Sequence, residues 1–166
     1  LCTGAASDTV VTWKTSLRQD LSDAVMVYAS FARGYKGQGF DISTGFNPRR
    51  AATPVRPETS DAFEAGIKSR FLDNKIQFNL SAFWSNFRDF QAQSGQVLPD
   101  NTIELTLNNV GRVRTRGFEI ELSARPIPTL TLDSALSFTD TRIMSFPGAQ
   151  CYAAQTVGCF DLDGAG

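Results

Sequence analysis

Residues 57–90, PETSDAFEAGIKSRFLDNKIQFNLSAFWSNFRDF, alternate between two kinds of side chain on either side of a short break. One set is mainly apolar: Phe63, Ala65, Ile67 and Phe71, then Ile76, Phe78, Leu80, Ala82 and Trp84. The other set is mainly polar: Glu58, Ser60, Glu64, Lys68 and Arg70, then Gln77, Asn79, Ser81 and Ser85. Alternation places the two sets on opposite faces of a strand. Because the break at 72–75 (LDNK) has the Asp-Asn chemistry of a tight turn, the stretch predicts a long β-hairpin with one apolar face.

Four more segments are predicted to be strands: 10–21, 24–35, 112–125 and 130–139. In the third of these, Phe118, Ile120 and Leu122 alternate with Glu119, Glu121 and Ser123. The alternation of 24–35 is blurred, so its faces are not assigned from the sequence. Residues 36–56 and 91–109 lack a sustained period and are predicted to be long loops, with local extension over 102–107.

Short and long connections alternate along these six predicted strands. If neighbouring strands are antiparallel, every short turn lies at one end of the sheet and every long loop at the other, as in outer-membrane barrels. The strands also exceed the average of about 5 to 6 residues in soluble proteins and suit the roughly 9 to 11 residues of a tilted membrane strand. We therefore predict an all-β, antiparallel, up-and-down transmembrane barrel.

Composition narrows the classes of function. The chain has 166 residues, a net charge of −1 and no histidine. Near-neutral charge argues against a nucleic-acid partner, since phosphate binding requires a basic surface. Without histidine, a metal or nucleophile site has little support, and no cofactor is expected. The alternative fold is a soluble β-sandwich, in which Glu119 and Glu121 could form the carboxylate pair of a carbohydrate-active enzyme.

Three segments resemble one known family. They are VYASFARGYKGQGFD at 27–41, the hairpin 57–91, and NNVGRVRTRGFEIELSARPIPTLTLDSALSFTDT at 108–141. Together they resemble the β-barrel of TonB-dependent outer-membrane receptors over residues 11–144. The resemblance implies a barrel of about 22 strands with a plugged lumen, in the outer membrane of a Gram-negative bacterium. It also implies energised uptake of siderophore-bound iron or another large nutrient, and an N-terminal element that contacts TonB. A passive porin is the alternative within the same fold.

The sequence departs from that family in what it contains. It shows no plug, no TonB-contacting element and no terminal aromatic strand, so residues 1–166 are expected to be a partial barrel domain. About six strands cannot close into a barrel, and an open edge in lipid leaves backbone groups unsatisfied.

Seven residues on the first long loop and at its base are candidate ligand contacts: Arg33, Tyr35, Lys36, Phe40, Phe46, Arg49 and Arg50. Aromatic and basic side chains on an external loop suit an anionic iron chelate. The alternative is a solvated loop that happens to be basic. In the last loop, Cys151 and Cys159 are expected to form a disulfide in an oxidising compartment, leaving Cys2 over.

Arg112, Arg114 and Arg116 share the parity of Phe118, so an unbroken strand points them outward. An arginine at mid-bilayer costs roughly 2 to 4 kcal/mol, and the cost falls towards zero at the interface. We therefore expect the three to lie beyond the apolar band and hypothesise contact with lipopolysaccharide phosphates. The alternative is a bulge at Gly111 or Gly117 that resets the parity. Trp84, Phe87 and Phe90 are expected to approach an aromatic girdle at the same end.

Overall fold

A computed structural model describes residues 3–42, 48–97 and 102–146. Its elements are β1 (Trp13–Ser22), β2 (Val25–Lys36), α1 (Pro48–Ala52), β3 (Glu58–Phe71), β4 (Ile76–Arg88), β5 (Gln91–Val97), β6 (Ile103–Asn109), β7 (Arg112–Ile127) and β8 (Leu130–Ser145). Six strands form one antiparallel sheet in the order β1-β2-β3-β4-β7-β8, and β5 and β6 form a separate two-stranded sheet. The predicted all-β, up-and-down order of the six long strands is confirmed.

The turn between β3 and β4 explains how the hairpin closes. Leu72, Asp73 and Asn74 have φ angles of 53°, 56° and 63°, all in the left-handed region. Asp and Asn tolerate this region because their side chains can hydrogen-bond locally. The amide of Lys75 donates to the carbonyl of Leu72 at 3.1 Å and closes the turn.

The second predicted loop, 91–109, is not a loop throughout. Its residues pair as the β5–β6 hairpin, with Gln91 opposite Asn109 and Val97 opposite Ile103. The prediction failed for β5 because QAQSGQV is polar on both faces and gives no alternation. The first predicted loop contains α1, and β8 runs beyond residue 139 to Ser145, because Thr141 and Ile143 continue to pair with β7.

Pairing also assigns the faces of β2, which the sequence left open. Val27 lies opposite Ile67, Ala29 opposite Ala65 and Phe31 opposite Phe63, so these residues share the apolar face of β3. Tyr28 lies between them on the polar face. The pattern was blurred because Met26 and Tyr28, which are largely hydrophobic, lie on the polar face.

The apolar face of the six-stranded sheet is uncovered. Leu80 is 36% exposed, Leu122 40% and Phe63 51%. Among the described residues, the only buried hydrophobic side chains are Val55, Val110 and Val113, which lie at or beyond the strand ends near the long connections. A soluble sandwich would bury the apolar face beneath a second sheet, so that alternative is wrong. No helix in the described part of the chain is long and apolar enough to cross a membrane.

Candidate functional site

The polar face of the sheet is concave and lined by charged and hydroxyl side chains. A cavity of about 560 Å³ lies against it, with walls from β1, β2, β3, β4 and β7. Tyr28 donates a hydrogen bond to Glu64 Oε1 at 2.7 Å, and the ammonium of Lys68 lies 5.9 Å from the centre of the Tyr28 ring. Asn79 donates to Glu121 Oε2 at 3.1 Å. The concave side is therefore suited to water and polar partners.

At the end of the sheet that carries the long connections, α1 and its flanking loop dock onto the β5–β6 hairpin. The guanidinium of Arg50 pairs with Asp41 at 2.9 Å and also with Glu104 of β6. Arg50 and Asp41 are each only 8% exposed. A backbone hydrogen bond of 2.9 Å from Val55 to Gly39 closes the loop on itself. A buried arginine between two carboxylates thus joins two segments that are far apart in sequence.

Gln91 and Asn109, the first and last residues of the hairpin, anchor it to the sheet. The backbone amide of Gln91 donates to Glu58 Oε2 at 2.8 Å. Its side-chain amide donates to the carbonyls of Gly37 and Arg56, both at 2.9 Å. Asn109 donates to the carbonyl of Arg56 at 2.9 Å and accepts from the Arg56 amide at 2.8 Å. We call α1, the loop residues 37–42 and 53–57, and the β5–β6 hairpin the loop assembly.

We expect Gln91→Leu to loosen the loop assembly. The substitution removes both side-chain donors at a site that is 7% exposed, and a buried polar group left unpaired costs about 1 to 3 kcal/mol. Hydrogen exchange measured by mass spectrometry should show roughly tenfold or greater loss of protection over residues 53–57. Gln93→Leu on the same strand is the control, since Gln93 is exposed. Equal protection in the two variants would contradict this role for Gln91.

Near the end of the sheet that carries the long connections, the apolar face becomes positively charged. Six arginines lie on it, and we call them the arginine belt: Arg33, Arg88, Arg112, Arg114, Arg116 and Arg142. Asp61 pairs with Arg33 at 3.5 Å and with Arg88 at 3.2 Å. Asp140 pairs with Arg116 at 3.0 Å and with Arg142 at 3.1 Å.

The bulge that would reset the parity of these arginines is not observed. β7 pairs with β4 without a break from Arg112 to Ala124, so Arg114, Arg116 and Phe118 keep one face. Gly117 pairs in regular register, and Gly111, with φ of 82°, precedes the strand. The irregularity near Arg112 concerns its pairing with β8. The outward orientation predicted from parity therefore holds.

Aromatic rings border the belt on its apolar side. Phe31 lies 4.8 Å from Trp13 and 4.6 Å from Phe63 between ring centres. The guanidiniums of Arg114 and Arg116 lie 5.2 and 5.6 Å from the centre of Trp84. Trp84 therefore lies beside the arginine belt near the long-connection end of β4, and its place in a membrane girdle stays a prediction. Phe87 instead shares the polar face with Ser85 and packs edge-on against Phe90 at 5.8 Å.

A family model described as "TonB dependent receptor-like, beta-barrel" matches residues 3–158. The chain belongs to this family of TonB-dependent receptor-like β-barrels. The ferric-pyoverdine M114 receptor PbuA of Pseudomonas sp. (strain M114) is 30% identical over 131 residues, which cover 75% of this chain and 14% of that protein. The pesticin receptor of Yersinia pestis is 30% identical over 132 residues, which cover 78% of this chain and 18% of that protein.

Solved structures agree with this fold. The ferric yersiniabactin uptake receptor FyuA from Yersinia pestis matches with a TM-score of 0.60 at 23% identity, over 77% of this chain and 18% of that one. The chain therefore spans less than a fifth of the length of these relatives. As a member of this family, the receptor barrel segment lies in a Gram-negative outer membrane, with its polar concave face towards the lumen.

The family comprises transport receptors, which are not enzymes. Glu119 and Glu121 lie exposed on the lumenal face, where Glu121 accepts a hydrogen bond from Asn79. The sandwich required by the carbohydrate-active alternative is not the observed fold. No cluster of His, Cys, Asp and Glu in the described ranges could hold a metal ion.

The candidate ligand contacts of this receptor barrel segment separate into groups. Arg33 and Tyr35 share the outward face, where Tyr35 donates to Asp8 Oδ2 at 3.0 Å, so neither points into the lumen. Arg50 forms salt bridges with Asp41 and Glu104 within the loop assembly. Lys36 has lumenal parity and is exposed, and Phe40 is half-buried in the loop. Phe46, Cys151 and Cys159 lie outside the described residues, as does the side chain of Arg49.

Sequence reasoning missed the anchors Gln91 and Asn109 and two members of the belt, Arg88 and Arg142. A local signal existed for the arginines, because Arg88 has the parity of Trp84 and Arg142 that of Phe138. For Gln91 and Asn109 there was none, since their hydrogen-bond partners lie 20 or more residues away in the sequence and include backbone carbonyls.

Proposed function

We propose that this chain forms part of the barrel wall of an outer-membrane receptor that takes up siderophore-bound iron or a similar large nutrient. The supporting observation is a six-stranded sheet with an apolar outer face, a polar concave face and the loop assembly docked at one of its ends. Such a wall separates lipid from an aqueous lumen and presents loops to the outside. The matched relatives are named as receptors for ferric-pyoverdine and for pesticin, and the first of these names specifies an iron-bound cargo.

Residues 1–166 serve in this proposal as one part of a longer barrel domain. Further strands, pairing with the open edges of β1 and β8, would complete the wall, because an unpaired edge in lipid leaves backbone groups unsatisfied. The plug and the region that contacts TonB lie in other parts of the receptor. Lipid and lipopolysaccharide surround the outer face.

Lys36 and Phe40 are the proposed ligand contacts in the described part of the first loop. They combine a cation at the mouth of the lumen with an aromatic ring, which suits an anionic, aromatic chelate. Cargo uptake in whole cells, followed with radioactive iron carried by siderophores, tests the proposal. We expect uptake to fall to background in cells that lack TonB. Uptake that continues without TonB would indicate a passive porin instead.

Lys36→Gln combined with Phe40→Ala is expected to weaken cargo binding. Loss of one charge-assisted contact and one ring contact should raise the Kd about tenfold or more. The measurement is equilibrium binding of the cargo to the purified receptor. Lys75→Gln is the matched control, because Lys75 lies in the short turn at the opposite end of the sheet. A Kd unchanged in the double variant would remove these residues from the ligand site.

A further inference from the structure

We propose that Arg112 and Arg114, with Arg88 and Arg142 beside them, bind a phosphate group of lipopolysaccharide on the outer face of the barrel. The inference rests on the proposed function, because that function places the long-loop end of the sheet in the outer leaflet. It goes beyond that function by assigning a ligand to part of the arginine belt. Arg112 and Arg114 lie between the group paired with Asp61 and the group paired with Asp140.

Charge in the belt is unevenly balanced. Each of the two aspartates serves two arginines: Asp61 binds Arg33 and Arg88, and Asp140 binds Arg116 and Arg142. Among the described residues, Arg112 and Arg114 make no salt bridge. Six arginines and two aspartates leave four positive charges in excess. This excess lies on the face that otherwise contacts hydrocarbon.

Cross-strand pairing brings like charges directly together. Arg88 lies opposite Arg112 in the β4–β7 register, and Arg114 lies opposite Arg142 in the β7–β8 register. Like charges in directly opposed positions destabilise a sheet when nothing compensates them. Two such pairs lie side by side, since Arg112 and Arg114 are two residues apart on β7. A doubly charged anion between the two pairs would attract all four guanidinium groups and offset the repulsion between them.

Arg114 carries a further sign of a missing partner. Its Nε is buried and has no hydrogen-bond acceptor among the described residues. The Trp84 ring lies against its guanidinium, 5.2 Å from ring centre to Cζ, and restricts where the group can point. A stacked guanidinium keeps its in-plane N–H donors available, which suits a bidentate contact with phosphate oxygens.

The position of the arginine belt relative to the membrane interface indicates which molecule supplies the phosphate. The belt borders the aromatic residues Trp13, Phe31, Phe63 and Trp84, which mark the interface between hydrocarbon and headgroups. Acyl chains can therefore pack on the apolar face below while the headgroup phosphate lies level with Arg112 and Arg114. An outward site at this depth is reached by lipid from the membrane itself. In the outer leaflet, lipopolysaccharide supplies both the acyl chains and the phosphate.

Native mass spectrometry of the complete receptor in non-ionic detergent tests this site with defined lipids. The probes are diphosphorylated lipid A, monophosphorylated lipid A and phosphatidylglycerol. We expect the tightest binding for diphosphorylated lipid A, and a loss of about tenfold or more in R112Q/R114Q. R18Q/R70Q is the matched control, because it removes the same charge from the lumenal face, and its affinity should stay within about twofold.

Two results would overturn the proposal. One is equal affinity of R112Q/R114Q and the unaltered receptor for diphosphorylated lipid A. The other is equally tight binding of phosphatidylglycerol, which would show a general attraction for anionic lipid. If R112Q/R114Q does not fold, R112K/R114K is tested in its place. This variant keeps the positive charges but loses the planar guanidinium groups that make bidentate contacts. We expect that variant to bind about threefold or more weakly, and undiminished binding would count against the site.

Measurements of uptake and of lipid A binding test the proposed function and the lipid site separately. A receptor that binds diphosphorylated lipid A through these arginines but shows no TonB-dependent uptake would refute the proposed function and leave the lipid site standing. Normal uptake with lipid A binding that does not depend on Arg112 and Arg114 would refute the lipid site alone.

Discussion

Gly117→Ala is expected to destabilise the barrel by about 3 kcal/mol or more, at the upper end of the range for overpacking. A Cβ at this position would overlap the carbonyl oxygen of Phe138 on β8 and lie 2.8 Å from the ring of Phe83. A carbonyl within the β7–β8 ladder cannot move away by changing a rotamer, so the strands must separate locally. The measurement is the free energy of unfolding in lipid vesicles, followed by denaturant titration of the complete receptor.

Gly34→Ala is the matched control. Gly34 also lies within a paired strand on the polar face, but the added Cβ would meet the hydroxyl of Ser60, at 2.5 Å. A serine hydroxyl can rotate away, so we expect a cost below about 1 kcal/mol. If the two variants unfold at the same free energy, close packing of Phe83 and Phe138 around Gly117 does not constrain that position.

Leu80→Arg is expected to cost about 2 to 4 kcal/mol in a bilayer. Leu80 lies in the middle of the apolar band, opposite Ile67 on β3 and Ile120 on β7. The arginine would therefore face hydrocarbon far from either interface. The free energy of unfolding in vesicles measures this cost, and the yield of inserted receptor should fall with it.

Ser81→Arg controls for the chemistry of the substitution. Ser81 is the next residue along β4 and faces the lumen, opposite Gly66 and Glu119. There the added charge meets water and a carboxylate, so we expect a change within about 0.5 kcal/mol. In a soluble domain both variants would be tolerated, because Leu80 is already 36% exposed. A difference of about 2 kcal/mol or more between them is therefore specific to lipid contact.

The arginine belt shows why some site residues could be predicted and others could not. The outward direction of Arg112, Arg114 and Arg116 follows from parity with Phe118, which is a property of one strand. Asp61 pairs with Arg33 and Arg88, whereas Arg112 and Arg114 have no carboxylate partner within the described ranges, and both facts depend on the register of four strands. Arg33 was accordingly expected at a ligand site, although its partner turns out to be Asp61.

The sequence by itself determined the six long strands, the two faces of every long strand except β2, and the short turns between them. These features depend on side-chain alternation and turn chemistry, which act between residues close in the chain. Only the tertiary structure decided that Gln91–Val97 pairs with Ile103–Asn109, that Arg50 joins Asp41 to Glu104, and that arginines of neighbouring strands meet. Such contacts join residues distant in sequence, and strand register and loop docking, rather than any local pattern, bring them together.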